Sequence, residues 1–378
     1  MIELKKVLLG LSGGVDSSVS LHLLKQQGYE VETCFMRNWD SALNNDYLGN
    51  DTVNDEICPQ EKDYMDAVAV AAKLNVKLRR VDFIKEYWDE VFKYFLDEYK
   101  KNHTPNPDIL CNKNIKFKAF LNYAKDIDCD YIAMGHYAKV IHKENKSYLL
   151  KAFDQNKDQT YFLCMISQEQ LRKSLFPLGD IDKTNVRRIA HELDLITKDK
   201  KDSTGICFIG ERHFKEFLKN YLPAKPGNIV STDGVILGKH DGLMYYTIGQ
   251  RKGLNIGGNN SYKNEPWFVV GKRIETNELI VGQGFDNELL YSTSCTCTNL
   301  NEISDEIILN KVYKAKVRYR GEDNEVIVVS KGEKCVVKFV KPIRAVVPGQ
   351  AIVFYDDQVC MGGAFINEVF YNDSKREY

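Results

Sequence analysis

The 378-residue sequence lacks any long hydrophobic run, since its apolar stretches, such as that from Val7 to Leu9, extend over only a few residues. This argues against a protein that spans a membrane, and no membrane partner is expected. The N-terminus carries no basic or Arg/Ser-rich leader, so we expect a cytoplasmic protein. The net charge of −1 argues against non-specific coating of nucleic acid but allows a local basic surface.

Cysteine is sparse, and the ten cysteines include no CxxC pair and no array with zinc-finger spacing. Cys295 and Cys297 form the only close pair. A disulfide-built fold and a structural zinc site are therefore not expected. Because thiols stay reduced in the cytoplasm, any disulfide here would be transient and catalytic.

The first half of the sequence alternates between strand-like and helix-like segments. The strand-like segments are 6–11, 29–36, 76–83 and 130–134, and the helix-like segments are 17–27, 62–74 and an aromatic-rich stretch ending at Tyr99. This alternation predicts an α/β fold with a doubly wound parallel sheet. Residues 38–58, rich in Asn and Asp, interrupt the alternation and are predicted to form a long surface loop.

Beyond about Gly210 the pattern changes to short β-type runs separated by turns. A short helix at 213–221 precedes the Pro/Gly hinge "LPAKPGNIV", and the last ninety residues contain no convincing helix. The strands expected there are 311–320, 325–329, 335–340 and 351–355. Such a pattern predicts a small antiparallel β-barrel at the C-terminus.

The segment "GLSGGVDSSVS", residues 10–20, lies where the first strand meets the first helix. Gly13 and Gly14 allow backbone N–H groups to approach an anion, and the positive end of the helix points at the same place. The segment therefore predicts a phosphate site, although it lacks the lysine of GxxxxGK[ST] and also lacks GxGxxG. Asp16 would repel a phosphate unless Mg²⁺ bridged the two. The alternative is a plain strand–helix turn.

A second stretch, "TPNPDILCNKNIKFKAF" at residues 104–120, contains Cys111. Pro105 and Pro107 are expected to hold the chain extended up to Asp108, with a helix starting just after the cysteine. A helix N-terminus and the lysines that follow would stabilise a thiolate, so Cys111 is a candidate nucleophile. Asp108 could exchange protons with a reacting group.

A third stretch, "KKDSTGICFIGER" at residues 200–212, contains Cys207 beside Gly205 and close to basic residues. Taken singly, each of Cys111 and Cys207 could instead be a small buried hydrophobe. The pair gains significance if the fold brings both cysteines to the glycine-rich loop, which their spacing does not show.

"SGGVDSS" resembles the signature of the PP-loop ATP pyrophosphatases, which cleave ATP between its α and β phosphates and commonly adenylate an oxygen. Further segments run in order across nearly the whole chain, among them "FMRNWD", "TPNPDILCNKNIKFKAF", "MGHYAKV", "KDQTYFL", "KDSTGICFIGER" and "GLMYYTIGQRKGL". Together they resemble the bacterial-type tRNA-specific 2-thiouridylases, the MnmA family. The resemblance implies a HUP-like PP-loop domain at 1–212, a small central domain at 213–285 and a C-terminal β-barrel domain at 286–378.

The resemblance also implies residues that bind ATP and tRNA. ATP would be bound by Gly10, Leu11, Ser12, Gly13, Gly14, Val15, Asp16, Ser17, Met36 and Gly135. The target base would be contacted by Asn106, Pro107 and Asp108, and tRNA by Lys157, Asp158 and Gln159.

The roles implied for the reaction concern three residues. Asp108 would act as acid or base, Cys111 as the nucleophile partner and Cys207 as the persulfide carrier. The two cysteines would form a transient disulfide when sulfur leaves. Cys58, in a stretch that is longer here than in many members, receives no role.

The implied reaction replaces the C2 oxygen of the wobble uridine by sulfur in tRNAs for Lys, Glu and Gln. Because that oxygen is a poor leaving group, ATP adenylates it and releases pyrophosphate before sulfur from Cys207 displaces AMP. The partners would be the anticodon stem-loop of tRNA and a sulfur donor, either a cysteine desulfurase or a persulfide relay protein. Mg²⁺ would accompany ATP, and no permanently bound cofactor is expected.

Two other classes of function stay open at this stage. One is another PP-loop ligase that adenylates a small metabolite or a different tRNA base, and the other is a non-catalytic RNA-binding protein. Neither class needs both Cys111 and Cys207.

An alternating segment near the C-terminus is a candidate RNA-binding face. Its cations are Lys314, Lys316, Arg318 and Arg320, and on a strand they would share one face. The segment either contacts tRNA phosphates or is an ordinary solvated face. The resemblance favours tRNA contact at Arg318 and Tyr319.

Trp39 and Trp88 are predicted to be packing residues, and His136 either lines the nucleotide pocket or completes the edge of the core.

Overall fold

The structure is a computed structural model, which describes residues 4–202, 205–257, 262–263 and 265–377. The strands of the N-terminal half are β1 (Lys6–Gly10), β2 (Glu30–Arg37), β3 (Leu78–Asp82), β4 (Tyr131–Ala133), β5 (Lys139–His142), β6 (Ser147–Leu150) and β7 (Ser174–Leu175). Five of them form a parallel sheet in the order β3–β2–β1–β4–β7. The predicted parallel sheet is confirmed.

Helices connect these strands. They are α1 (Val15–Gln26), α2 (Pro59–Lys73), α3 (Ile84–Tyr87), α4 (Lys93–Lys100), α5 (Pro107–Leu110), α6 (Phe120–Asp126), α7 (Thr160–Leu163), α8 (Gln168–Arg172) and α9 (Lys183–Glu192). π-Helical turns at Trp88–Phe92 and Cys111–Ala119 join α3 to α4 and α5 to α6. Within the described ranges, no helix is both long and apolar enough to cross a bilayer.

Both faces of the parallel sheet are buried, which explains the nearly continuous apolar sequence of β1. Leu8 packs on one side with an aromatic cluster that includes Trp39. Val7 and Leu9 point to the opposite side, where they pack with Val70 of α2 and its neighbours. Because successive side chains of a strand point to opposite faces, this arrangement is the doubly wound architecture that the alternation predicts.

The segment between β2 and α2 contains neither helix nor strand, as predicted for residues 38–58. The prediction of a surface loop is wrong for part of it, since Trp39 and Asp46 are buried. The Trp39 ring packs against Tyr87 and Phe92, which confirms it as a packing residue. These contacts hold the loop against the helical segment between β3 and α4.

The central part of the chain adds one helix and a small sheet. Its elements are α10 (Phe214–Lys219), β8 (Gly227–Ser231), β9 (Ile236–His240), β10 (Trp267–Arg273) and β11 (Glu278–Gln283). The four strands pair in the order β10–β11–β8–β9, and only the β11–β8 pair is parallel.

The C-terminal part is a closed antiparallel barrel, as predicted. Its strands are β12 (Tyr291–Glu302), β13 (Val312–Lys316), β14 (Asn324–Ser330), β15 (Cys335–Arg344), β16 (Ala351–Asp356) and β17 (Val359–Tyr371), with β18 (Ser374–Lys375) as a short addition. Pairing of β12 with β17 closes the ring. The β5–β6 hairpin of the first unit extends the same sheet, because Leu150 pairs with Val359 of β17. Cys295 and Cys297 lie buried in the barrel core.

The predicted strand 311–320 is wrong in its second half, because β13 ends at Lys316. The chain then bends and brings the Tyr319 ring to 4.3 Å from the Phe162 ring, centroid to centroid. Arg318 donates to the carbonyl oxygen of Ala345. The four cations therefore do not share one strand face, since packing against another part of the chain redirects the segment.

Candidate active site

The glycine-rich loop connects the carboxyl end of β1 to the N-terminus of α1. Its own hydroxyls fix its shape, since Ser12 N–H donates to Ser17 Oγ at 3.2 Å and Ser18 Oγ–H to the Gly14 carbonyl at 2.8 Å. No side chain caps α1 at Gly14. The positive end of a twelve-residue helix therefore faces the loop, an arrangement that suits a phosphate.

Met36 and Gly135, which the family resemblance assigns to the nucleotide, lie against this loop. A Cβ atom at Gly10 would stand 3.1 Å from Met36 Cε, and one at Gly135 would stand 3.0 Å from the Ser17 nitrogen. They meet there because Met36 is near the end of β2 and Gly135 follows β4, and the carboxyl ends of parallel strands share one edge of the sheet. This edge is where open α/β sheets bind their ligands.

The glycine-rich loop contains no lysine, but two lysines from distant parts of the sequence lie against it in the fold. Lys183, at the start of α9, places Nζ 2.8 Å from both carboxylate oxygens of Asp16. Lys200 places Nζ 2.9 Å from the Gly13 carbonyl oxygen and 2.7 Å from Asp63 Oδ1. Sequence analysis missed both residues, because only the tertiary fold brings them to the loop.

Asp16 does not fit a Mg²⁺ ion held by its side chain. Its carboxylate already accepts hydrogen bonds from Lys183 and, at 2.8 Å, from the hydroxyl of Tyr137. In the described part of the chain, no group of three or more His, Cys, Asp or Glu side chains could hold a metal ion. The two ammonium groups at the loop are each paired with carboxylates, Lys183 with Asp16 and Asp202 and Lys200 with Asp63 and Asp66.

The two cysteines singled out by the sequence meet in space. Cys111 Sγ lies 3.5 Å from Cys207 Sγ and donates a hydrogen bond to it. Cys111 is fully buried, whereas Cys207 is partly accessible. The pair is thus close enough to exchange a bond with a movement of about 1.5 Å, the excess over a disulfide.

The helix around Cys111 starts earlier than predicted. Pro107 is its first residue and Asn106 caps it, accepting from Asp108 N–H at 3.1 Å. Cys111 therefore lies one turn inside the helix, at the start of the π-helical segment, and Asp108 is not in extended chain. The signal was present in the sequence, since Asn before Pro is a typical helix start.

The expectation of a thiolate at Cys111 is wrong, because burial raises the pKa of this thiol well above its usual value. Cys207 is the more acidic partner. The hydrogen bond that it accepts from Cys111, together with the ammonium of Lys116, lowers the pKa of the Cys207 thiol against the effect of burial. The thiolate, which is the reactive form, is therefore favoured at Cys207.

Two side chains hold Cys207 by its backbone. Asp108 Oδ1 accepts from the Cys207 N–H at 3.2 Å, and the hydroxyl of Tyr87 donates to the Cys207 carbonyl at 2.9 Å. Burial raises the pKa of Asp108, although Lys116 and this N–H oppose the shift. A carboxyl group with a raised pKa beside a thiol pair is suited to proton transfer.

His136 packs near the helix that carries Cys111 and is next in sequence to Gly135, which lies against the glycine-rich loop. It follows Gly135, is buried, and its ring lies 5.9 Å from that of Phe117 in the helix that carries Cys111. Burial and, secondarily, the nearby Lys116 ammonium lower the pKa of His136 well below the usual value. Its Nδ1 has no hydrogen-bond partner among the described residues.

Two of the residues predicted to contact tRNA, Asp158 and Gln159, form hydrogen bonds within the protein. Asp158 is buried and accepts from Ala152 N–H at 2.9 Å and from Thr160 Oγ1 at 2.7 Å. Gln159 accepts from Tyr137 N–H, and Lys157 pairs with Asp202 at 2.8 Å.

Comparison with known proteins gives three family models in series. They are a tRNA methyl transferase HUP domain at residues 5–211, a tRNA methyl transferase PRC-barrel domain at 215–283 and an aminomethyltransferase beta-barrel domain at 292–366. Curated relatives match over nearly their full length. The tRNA-specific 2-thiouridylase MnmA of Acholeplasma laidlawii is 56% identical over 99% of both chains. That of Mycoplasma capricolum is 57% identical over 97% of this chain and 99% of its own.

Proposed function

The chain belongs to the family of tRNA-specific 2-thiouridylases, and from this premise we propose how its residues carry out the reaction. It is an ATP-dependent sulfurtransferase that forms 2-thiouridine in tRNA. The observation that carries the proposal is the 3.5 Å between the sulfurs of Cys111 and Cys207. A methyl transfer, which two family-model descriptions mention, would not account for two adjacent thiols.

The first step is adenylation of the uridine C2 oxygen. ATP lies along the glycine-rich loop, residues 10–17, with Met36 and Gly135 against the nucleotide. Lys183 and Lys200 balance the charge of the pyrophosphate as it leaves, supported by their contacts with the loop. The C2 oxygen attacks the α-phosphorus, the α–β bond breaks, and the oxygen becomes part of a good leaving group, AMP.

The second step brings in sulfur from Cys207. The outer sulfur of its persulfide attacks C2, and AMP departs with the former uridine oxygen. Cys111 then passes its thiol proton to the Asp108 carboxylate, attacks the Cys207 sulfur, forms the Cys111–Cys207 disulfide and releases the thiocarbonyl. Alternatively, Cys111 attacks first and frees sulfide, which then attacks C2. An external thiol reduces the disulfide in either order.

The target base enters beside the helix start at residues 106–108. Asn106, Pro107 and Asp108 contact it, and Asp108 acts as acid or base, supported by the raised pKa of its carboxyl group. Asp108 also holds the Cys207 backbone, so base binding and sulfur delivery share one residue. A wobble uridine has to be splayed out of the anticodon loop to reach this point.

The tRNA contacts extend to the barrel. Lys157 and Arg318 supply cations, and Tyr319 supplies a ring next to Phe162. Gln159 and the buried Asp158 contribute by fixing the backbone of this segment. The substrates we propose are the tRNAs for Lys, Glu and Gln.

The remaining parts of the proposal concern location and partners. The enzyme works in the cytoplasm, takes its sulfur from a cysteine desulfurase or a persulfide relay protein, and receives Mg²⁺ with ATP. The domains run over 1–212, 213–285 and 286–378.

The pair of thiols at Cys111 and Cys207 disfavours the two other classes of function, a PP-loop ligase for a metabolite and a non-catalytic RNA-binding protein, because neither needs two adjacent cysteines.

The products of a complete reaction test this function. Purified protein, Mg-ATP, tRNA for Lys and sodium sulfide, which attacks the adenylated C2 directly without forming a persulfide on Cys207, are expected to give AMP, pyrophosphate and 2-thiouridine in equal amounts, measured by chromatography and nucleoside mass spectrometry. The control is the same tRNA with cytidine at the wobble position, which should give no thionucleoside. Formation of ADP, or of a methylated uridine, would contradict the proposal.

A further inference from the structure

We propose that the loop between β2 and α2 is the docking surface for the protein that delivers persulfide sulfur to Cys207. The loop surface consists of Leu43, Tyr47, Leu48, Val53 and Ile57. The inference rests on the proposed function, because it names the partner that supplies the same site.

The loop surface presents apolar side chains to solvent. Leu43 is 71% exposed, Leu48 52% and Tyr47 51%, with Val53 and Ile57 close to 40%. Isolated exposed apolar residues are ordinary, but a concentration of them marks an interaction site. Loops without helix or strand that are this long inside a compact domain are commonly functional.

The negative charge of the segment between β2 and α2 indicates which kind of partner it binds. No Lys, Arg or His occurs between Arg37 and Lys62, whereas six carboxylates do. Four of the six are paired with cations, namely Asp40 with Arg37, Asp46 with Arg212, Asp55 with Lys62 and Glu61 with Arg80. Glu56 is exposed and keeps the outer side negative, together with the exposed Asp51, whose partner is His213 Nε2 at 3.0 Å. Such a surface repels RNA phosphates and fits a protein with an apolar, basic face.

The loop is attached directly to the segment that carries Cys207. Gln60, just after the loop, donates through Nε2 to the Phe208 carbonyl at 2.8 Å. His213 N–H donates to the Gly49 carbonyl at 2.9 Å. Asn220 Oδ1 accepts from the Leu48 N–H at 3.0 Å. A protein seated on the loop surface would therefore lie beside the partly accessible cysteine of the pair.

The transfer step balances without a further reactant. The Cys207 thiolate attacks the outer sulfur of the donor's cysteine persulfide, and the donor's sulfur–sulfur bond breaks. The donor cysteine leaves as a thiolate with the electron pair, and Cys207 carries the persulfide.

The test compares two sulfur sources with matched variants. The loop variant is Leu43→Ser with Leu48→Ser, and the control is Ile236→Ser with Ile274→Ser, at two exposed apolar positions of the central domain. Glu56→Lys tests the charge separately. Thiolation is measured with a cysteine desulfurase loaded from L-cysteine and, in parallel, with sodium sulfide, which needs no docking.

The loop variant and Glu56→Lys should each raise the KM for the desulfurase about tenfold or more, with sulfide-driven thiolation and the KM for tRNA unchanged. The control should behave as wild type. The proposal is overturned if the desulfurase KM stays constant, if the control shifts equally, or if wild type takes sulfur from sulfide but not from the desulfurase. A rise in the tRNA KM, or a wild-type dimer that the loop variant dissociates, would equally overturn it. Failure of wild type with sulfide would instead refute the proposed function.

Discussion

Cys207→Ser should lower the formation of 2-thiouridine from a persulfide-bearing donor about a thousandfold or more, the size seen when an essential nucleophile is removed. A serine hydroxyl cannot carry sulfane sulfur, so the second half of the reaction stops. Adenylation should continue, because the glycine-rich loop, Lys183 and Lys200 are untouched. Pyrophosphate release in a single turnover with tRNA measures the first half, and nucleoside mass spectrometry measures the second.

Two matched cysteine variants sharpen this test. Cys58 is exposed and receives no role in the reaction, so Cys58→Ser should behave as wild type. Cys111→Ser should also stop turnover, but after loading by the donor in the absence of tRNA it should still carry sulfur on Cys207, detectable as a persulfide by intact-protein mass spectrometry. Wild-type rates for Cys207→Ser would contradict the assignment of the carrier.

Asp46→Ala should destabilise the segment around Cys207 by about 3–5 kcal/mol, the cost of leaving one member of a buried ion pair unpaired. Asp46 and Arg212 are almost fully buried, with side-chain exposures of 0% and 6%. The same carboxylate accepts from Trp39 Nε1 at 2.9 Å and Ser41 Oγ at 3.2 Å. Hydrogen exchange of the amides at 205–222 should therefore accelerate by roughly a hundredfold to several thousandfold.

The control for this prediction is Asp51→Asn, which removes an exposed pair with His213 and should cost at most about 1 kcal/mol. Urea unfolding and hydrogen exchange are measured on both variants. Equal protection of residues 205–222 in the two variants would show that the Asp46–Arg212 pair does not hold this segment.

The parallel sheet could be predicted from the sequence because the strands of the first unit are buried and read as short apolar runs between helices. The barrel could be predicted for a similar reason, since short β-type runs and turns follow one another. Both signals are local. The end of β13 at Lys316 depends instead on Tyr319 meeting Phe162, a contact between distant parts of the sequence that no local pattern contains.

In the candidate site, too, some features have a local signal in the sequence and others depend on contacts between distant residues. The loop at 10–17 and the two cysteine segments carry local signals, whereas the proximity of Cys111 to Cys207 does not follow from their spacing. Lys183 and Lys200 approach the loop only through the fold. The helix start at Asn106 also has a local signal, Asn followed by Pro, but the two prolines favour the prediction of an extended chain, which is wrong.

The most direct test of the central claim follows the oxygen that is replaced. A tRNA for Lys is prepared with ¹⁸O at C2 of the wobble uridine and treated with the protein, Mg-ATP and sodium sulfide in a single turnover. If the C2 oxygen is adenylated before sulfur enters, mass spectrometry will find one ¹⁸O atom in AMP for each 2-thiouridine formed. Unlabelled AMP alongside 2-thiouridine, or ADP in its place, would contradict this mechanism.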